Sequence, residues 1–404
     1  MNDLQGSREP MVRSPPSAAA FWVAASSLLL VFATSGAPVP LFNVYRAEAG
    51  VDNADTGLVA VGYFVSAAAA LLLLGRLSDH LGRRPMALLA LGCAALSCVV
   101  LARLEGAASL LAGRMLQGLA CGVASSALGA YAVDSAPARL RWLSALMSSS
   151  APMTGLTVGA LVCGVLMQYA PWPRQLVYVV LAGLLLLCAV LVVLSPETVP
   201  HRPGALGSVV PRLHVPAGAG QLLLATSAAI VGTWSLGSYY LSFGPAMVVE
   251  HLGVRSPVVV AAAFASVMVL NPVAGPIVRR WPPVYAMRAG MALLLLAVLG
   301  IVVTIRAGAV LPFLVASLMV GLSQGVAVTG GMRALLARTE VGDRAGLLAL
   351  IYLVSYCAAA ISSMVGSVLV GWVEPFTLTL GYAALSLVSA TVALWAAGGR
   401  ASRE

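Results

Sequence analysis

The chain has 404 residues, is 60% hydrophobic and only 9% charged, and carries a formal net charge of +9 with a mean hydropathy of +0.96. A water-soluble protein of this length needs far more charge on its surface, so a soluble globular domain is excluded and a polytopic membrane protein is indicated. All 23 basic residues are arginine; in so apolar a chain they read as topology markers and lipid-headgroup contacts, not as a nucleic-acid surface.

The first twenty residues, with Arg8, Glu9, Arg13 and Pro15-Pro16, are polar and expected to be disordered. No short apolar core with a small-residue cleavage site follows, so the first apolar stretch reads as a retained helix. Runs of the length that spans a bilayer fall near residues 21–45, 56–74, 86–104, 109–133, 142–169, 175–194, 219–243, 256–277, 286–305, 309–330, 345–372 and 376–397. These predict an all-α protein of twelve transmembrane helices with both termini on one side. The six cysteines all lie inside apolar runs without metal-ligand spacing, and read as small buried hydrophobes. No cofactor or metal is expected, and a Walker loop and a catalytic triad pattern are both missing.

Within the first run, Pro38 and Pro40 predict a break, because each removes a helical N–H donor. Gly244-Pro245 predicts another at the matching place in the seventh. Between the second and third runs stands Gly75-Arg76-Leu77-Ser78-Asp79-His80-Leu81-Gly82-Arg83-Arg84-Pro85. So many ionisable groups cannot lie in hydrocarbon, so this is a tight turn at a membrane surface. The pattern G-x-L-x-D-x-x-G-R-R resembles the signature loop of the major facilitator superfamily. The resemblance implies two six-helix bundles related by a pseudo-twofold axis, with Gly75, Asp79, Gly82, Arg83, Arg84 and Asp134 acting as a conformational latch. Asp134 ends the fourth helix and is expected to pair with Arg83 or Arg76.

The arginines orient the chain. With the termini inside, only Arg46, Arg103, Arg174, Arg255 and Arg306 fall outside, Arg114 lies within a span, and all others are cytoplasmic. Arg114 is costly at membrane depth unless it snorkels or faces a wet cavity. Gln117 follows at i+3 on the same helix face. Arg114-Met115-Leu116-Gln117-Gly118 resembles the R-x-x-Q-G element of the drug:proton antiporter branch, which implies a role in substrate binding or proton movement. In the fifth helix, Pro152, Gly155 and Gly159 predict a kink and a small-residue packing face, and partly resemble the antiporter glycine–proline motif.

Pro196 to about residue 218 is proline-rich and polar and reads as a cytoplasmic linker between bundles at 21–195 and 219–398, with a short tail from 399. Pro196-Glu197-Thr198 resembles the element at the inner end of the family's sixth helix. The halves repeat in places: Gly118 to Ala124 reads GLACGVA and Gly321 to Ala327 reads GLSQGVA, 203 residues later. Gly159 and Gly164 are spaced like Gly366 and Gly371. The second copy of the signature loop, Gly275 to Pro282, keeps a glycine and two arginines but has no aspartate.

Asn43, Tyr239, Asn271, Gln324 and Tyr356 are candidates, with Arg114 and Gln117, to line the pathway; Trp234 and Tyr63 lie near them in the pattern. No Asp, Glu or His falls in mid-span, so the cavity is expected to take neutral lipophilic or anionic molecules, with Arg114 as its fixed charge. The whole reading implies a non-enzymatic secondary transporter of the bacterial plasma membrane. It would be monomeric and bilayer-embedded, exporting drugs or metabolites by alternating access, with protons as the family's usual coupling ion. The alternatives are a facilitative importer or uniporter of a neutral or anionic metabolite and, more remotely, a membrane-integral transferase.

Overall fold

A computed structural model describes residues 17–201, 203–209 and 213–398. The polar stretch 1–16, Arg202, Arg212 and the tail from 399 lie outside the described residues. Twelve helices among those described are long and apolar enough to cross a membrane: Ala18–Glu48, Asn53–Leu74, Arg83–Ala102, Ala107–Ser135, Leu146–Tyr169, Leu176–Leu194, Gly220–Ser242, Pro257–Val278, Pro283–Arg306, Val310–Ala337, Arg344–Leu369 and Pro375–Ala396. Helices are the natural outcome here, because hydrocarbon offers no partner for a backbone N–H or C=O left outside an internal hydrogen bond.

The first helix starts at Ala18, inside the stretch expected to be disordered, because the Ser17 side chain caps it by accepting from Ala20 N at 3.4 Å. The tenth runs to Ala337, beyond the expected end at 330. Gly330 and Gly331 do not stop it. A Cβ on Gly330 would lie 2.5 Å from Met287 N, and one on Gly331 2.7 Å from Thr226, so these glycines admit neighbouring helices.

The packing repeats after six helices. In the first half, the first helix packs on the fourth, fifth and sixth, the second on the fourth, and the third on the fourth and sixth. In the second half, the seventh packs on the tenth, eleventh and twelfth, the eighth on the tenth, and the ninth on the tenth and twelfth. The halves meet where the second helix packs on the eleventh and the fifth on the eighth, again a pair related by the same operation.

Glycines set this register. Added Cβ atoms on Gly118 and Gly122 would stand 2.3 Å from Tyr63 O and 2.5 Å from Ala67 O. Gly321 and Gly325 meet Val267 O at 2.4 Å and Asn271 O at 2.5 Å in the same way. The GLACGVA/GLSQGVA repeat is therefore a repeated backbone-to-backbone contact. The Gly159/Gly366 correspondence is not. Gly159 faces Ala33 O in the first helix, Gly366 faces the Phe243 and Tyr382 side chains, and Gly371 has open space. The interface partners are instead Gly164 against Ala261 and Ser367 against Gly57.

Both predicted breaks are present. The first helix ends at Gly36 and restarts as Pro38–Glu48; the seventh ends at Ser242 and restarts as Gly244–Glu250. The fifth, Arg141–Tyr169, carries Pro152 without stopping. We call the membrane face that carries the Gly75–Pro85 turn the loop face, and the other the far face. Hydrogen bonds joining helices of the two halves cluster at the far face: Asn43 Nδ2 donates to Pro245 O at 3.0 Å, Ser256 Oγ to Gln168 Oε1 at 2.9 Å, and Ser367 Oγ to Ala54 O at 2.6 Å. The far end is closed.

Candidate functional site

Pro38 lacks the N–H that would close the helical bond to the Thr34 carbonyl, so that oxygen is free for another donor. Gln117 Nε2 supplies it at 2.7 Å. Arg114 Nη1 donates to Ser35 O at 2.7 Å and to Gln117 Oε1 at 2.9 Å. Arg114 and Gln117 are both fully buried. The guanidinium carbon lies 4.6 Å from the centroid of the Tyr63 ring, a cation–π placement. Cys121 completes the cluster, its Sγ 3.1 Å from Ser35 Oγ. Two helix-four side chains thus bridge the break in helix one, at a depth where water is scarce.

Arg114 Nε and Nη2 have no hydrogen-bond partner among the described residues. A charged side chain at this depth costs about 3 kcal/mol even on the gentlest scales, and an unmet guanidinium N–H adds to that. The site is electropositive and short of acceptors. The second half has lost this group: Ser317 stands at the matching place and pairs with Tyr240 OH at 2.6 Å.

From Tyr63 a line of rings crosses between the halves. Tyr63 meets Phe64 at 5.2 Å between centroids, Phe64 meets Tyr356 at 6.4 Å, and Tyr356 meets Trp234 edge-on at 5.4 Å. Tyr356 thus links the two halves in this line, with Phe64 of the first on one side and Trp234 of the second on the other. Gln324 is buried one turn from Gly321, and its Oε1 has no partner among the described residues. Asn271 opens the short 3-10 turn Asn271–Val273 that interrupts the eighth helix, and is half-buried.

Two expected pathway residues lie elsewhere. Tyr239 turns into the packing of the seventh on the twelfth helix, its OH 2.6 Å from Thr379 Oγ1 and its ring 5.1 Å from Tyr382. Asn43 belongs to the far-face closure. The kink residues act as packing surfaces: Cβ atoms on Gly155 and Gly159 would lie 2.5 Å from Leu29 O and 1.9 Å from Ala33 O.

At the loop face, Arg83 gathers the latch residues. It meets Asp79 Oδ1 at 2.6 Å, Asp134 Oδ2 at 3.0 Å and Ser78 Oγ at 2.6 Å, while Arg76 points outward, exposed. Glu197 is the member that sequence reasoning left without a role. Its carboxylate accepts from Arg83 N at 2.8 Å and Arg84 N at 2.9 Å, capping the third helix where free N–H groups and the helix dipole favour an anion. Arg84 Nη2 returns to Val193 O on the sixth helix. These bonds of Asp79, Arg83 and Asp134 all stay inside the first half, so the cluster braces one bundle and does not, in this conformation, grip the other.

Gly82 sits at φ +97° and ψ 157°, a region open essentially to glycine alone, and a Cβ there would lie 2.7 Å from Glu197 Oε2. Gly82→Ala is expected to cost about 1–3 kcal/mol through backbone strain, before counting the displaced carboxylate. A fall in the melting midpoint in a thermal size-exclusion assay checks it. The aspartate-free second copy, Gly275 to Trp281, lines an open cavity of about 600 Å³ and presents Arg279 and Arg280.

Residues 24–311 match the family model described as Major Facilitator Superfamily. An uncharacterized transporter of Rickettsia felis is 33% identical over 153 residues, 37% of this chain and 36% of that protein. One of Rickettsia bellii is 30% identical over 154 residues, 37% of each chain. The matched stretch thus spans little more than a third of these relatives' length. Among solved structures, the nucleoside transporter NupG superposes with a TM-score of 0.69 at 12% identity, covering 93% of this chain and 99% of that one. The POT family transporter PepTSo gives 0.71 at 13%, covering 94% and 97%. With the twelve helices, the sixfold-shifted packing and the signature turn in place, the chain belongs to the Major Facilitator Superfamily.

Proposed function

We propose that this chain is a secondary transporter that exports lipophilic or anionic small molecules by alternating access, its two bundles rocking about a site between Arg114 and the ring line from Tyr63 to Trp234. The observation that carries the reading is the asymmetry of closure. The halves are bonded at the far face, and the interface helices are related by the same pseudo-symmetry, so the closed end can exchange places with the other. With the arginine bias setting the loop face as cytoplasmic, this conformation faces the cytoplasm. Bundles at 21–195 and 219–398 then move as bodies joined by the 196–218 linker, in a bacterial plasma membrane, as a monomer.

Export follows from the likeness of Arg114-Met115-Leu116-Gln117-Gly118 to the antiporter element, and that likeness also brings protons as the coupling ion. Arg114 favours an anion because two of its guanidinium nitrogens find no acceptor among the described residues, and a substrate carboxylate would satisfy them. The cytoplasmic cluster of Arg83, Asp79 and Asp134 keeps the turn shaped for closing against the second half in the opposite state.

The test is transport in proteoliposomes with a panel of labelled neutral, anionic and quaternary ammonium compounds, with and without a pH gradient. Net movement of unchanged anionic or neutral compounds, accelerated by the gradient, is the expected result. Movement indifferent to the gradient would replace coupled export with facilitated diffusion. Chemical conversion without movement would sink the transporter reading in favour of a membrane transferase.

A further inference from the structure

Helices eleven and twelve both pack on helix seven and scarcely on each other, which leaves a groove between them with helix seven as its floor. The groove comes from a departure from the repeat. The interval of 207 residues that takes Gly159 to Gly366 also takes Gly155 to Ser362. Gly155 and Gly159 seat helix five directly on the backbone of helix one. Ser362 instead reaches helix seven through its hydroxyl, 2.9 Å from Ser238 Oγ, and Gly366 faces the Phe243 and Tyr382 side chains. Contact through side chains holds two helices further apart than glycine against backbone. The cavity so formed has a volume of about 790 Å³, and along helix eleven it extends from Val354 to Leu369. That is about 22 Å of helix, so the space is elongated.

Ile361, Val365 and Leu385 line the groove and are exposed within membrane-spanning helices, so it opens into hydrocarbon and not into water. No Asp, Glu, His or Arg stands among its described lining residues, and an ionised ligand would meet no counter-charge there. Of its buried polar side chains, Tyr382 donates to Ser362 O at 2.6 Å and Ser362 pairs with Ser238. Ser235, on the floor and 1% exposed, is different: its Oγ has no hydrogen-bond partner among the described residues. A buried hydroxyl left unmet is costly, and a ligand oxygen would relieve it. Ser235 and Cys357 line the groove, while their neighbours Trp234 and Tyr356 meet in the ring line, so helices seven and eleven separate it from the central site.

We propose that this groove is a binding site for an uncharged, elongated lipophile drawn from the bilayer, its body along helices eleven and twelve and a single carbonyl or ether oxygen accepting from the Ser235 hydroxyl. The occupant comes from the bilayer because the groove is continuous with the lipid-facing surface. It is not the chain of a bulk phospholipid. Ser235 lies midway between Gly220 and Glu250 on the seventh crossing, near the midplane, whereas phospholipid ester oxygens stay at the headgroup boundary. A mostly apolar concavity with one placed polar group is the usual form of a small-molecule site. It lies within one half, so it stands whether or not the halves rock.

The test is photo-crosslinking of the full-length protein in proteoliposomes. The probe is a long-chain ketone carrying a diazirine; its controls are the matching alkane without the carbonyl and a phosphatidylcholine with a diazirine on an acyl chain. The ketone should mark peptides within 354–385 saturably and be displaced by excess unlabelled ketone. Ser235→Ala should raise its half-saturating concentration by about fivefold, the scale of one buried hydrogen bond, and leave the alkane unchanged. Gly381 lines the groove with nothing within 4 Å of its would-be Cβ, so Gly381→Phe should fill the space and abolish ketone labelling without disturbing the helices. Size-exclusion profiles show which variants fold, and either one decides the matter if the other does not. Ketone and alkane that label alike, or a Ser235→Ala protein that takes up ketone as the parent does, would overturn the site and leave a groove filled by bulk lipid chains. Phosphatidylcholine that marks the same peptides and resists displacement by ketone would do the same. Ketone labelling that survives Gly381→Phe would overturn it by placing the probe elsewhere.

Discussion

Gly159→Leu is expected to remove the folded protein altogether, leaving aggregate where the wild type gives a monodisperse peak in detergent. An added Cβ would sit 1.9 Å from the Ala33 carbonyl oxygen, with Ala33 C and Cα at 2.6 and 2.8 Å. These are backbone atoms of a buried helix, so nothing local can yield. The first and fifth helices would have to separate, and Gly36, whose Cβ would stand 2.1 Å from Leu156 O, shows that the approach is close on both sides. In a bilayer such contact is the source of helix association, since lipid tails solvate apolar surface as well as leucine does. Even Gly159→Ala should lower the melting midpoint clearly. Gly183, with nothing within 4 Å of its would-be Cβ, supplies the contrast: Gly183→Leu should be tolerated. Equal behaviour of the two leucine variants would show that small-residue packing does not hold the first bundle.

Arg114→Met is expected to abolish transport of anionic compounds while leaving the protein folded, with a fall in rate of about a hundredfold or more. The substitution removes a buried charge, which relieves the cost of burying it, but leaves the Ser35 carbonyl without its donor at about 1–3 kcal/mol. Stability should therefore move little in either direction. Arg114→Lys should rescue poorly, because a single ammonium cannot hold Ser35 O and Gln117 Oε1 while also presenting free N–H groups to a ligand. Initial rates in proteoliposomes measure both. A quaternary ammonium dye that is carried by the wild type, and still carried by Arg114→Met, would contradict the assignment of Arg114 as the charge that selects substrate.

The architecture was legible because a bilayer enforces simple rules on sequence: long apolar runs, arginines between them, and glycines at fixed spacing where helices touch. Pro38 and Gly244-Pro245 were legible as breaks for the same reason, since the missing donor is written in the residue itself. What the breaks do was less so. That Gln117 would take the bond left open at Thr34 needs the fourth helix placed beside the first, which spacing alone does not give. Asn43 and Tyr239 look like cavity residues in sequence because a polar group in an apolar run looks the same whether it faces a pathway, a neighbouring helix or the other bundle. Arg46 and Glu250 looked like ordinary helix-end charges, and only the fold brings them within 3.0 Å. The offset of Gly366 from Gly159 misled because glycine is common in these helices, and a shared interval between two of them is weak unless both face backbone.

The Glu197 cap carries a consequence for biosynthesis. The amides of Arg83 are separated from that carboxylate by 114 positions of chain. At a ribosomal pace of about 5–20 residues per second, the start of the third helix waits roughly 6–23 s before its anionic cap emerges. Throughout that interval the first bundle is inserted but unfinished, and its membrane-surface turn takes its final shape only after the sixth crossing has left the translocon.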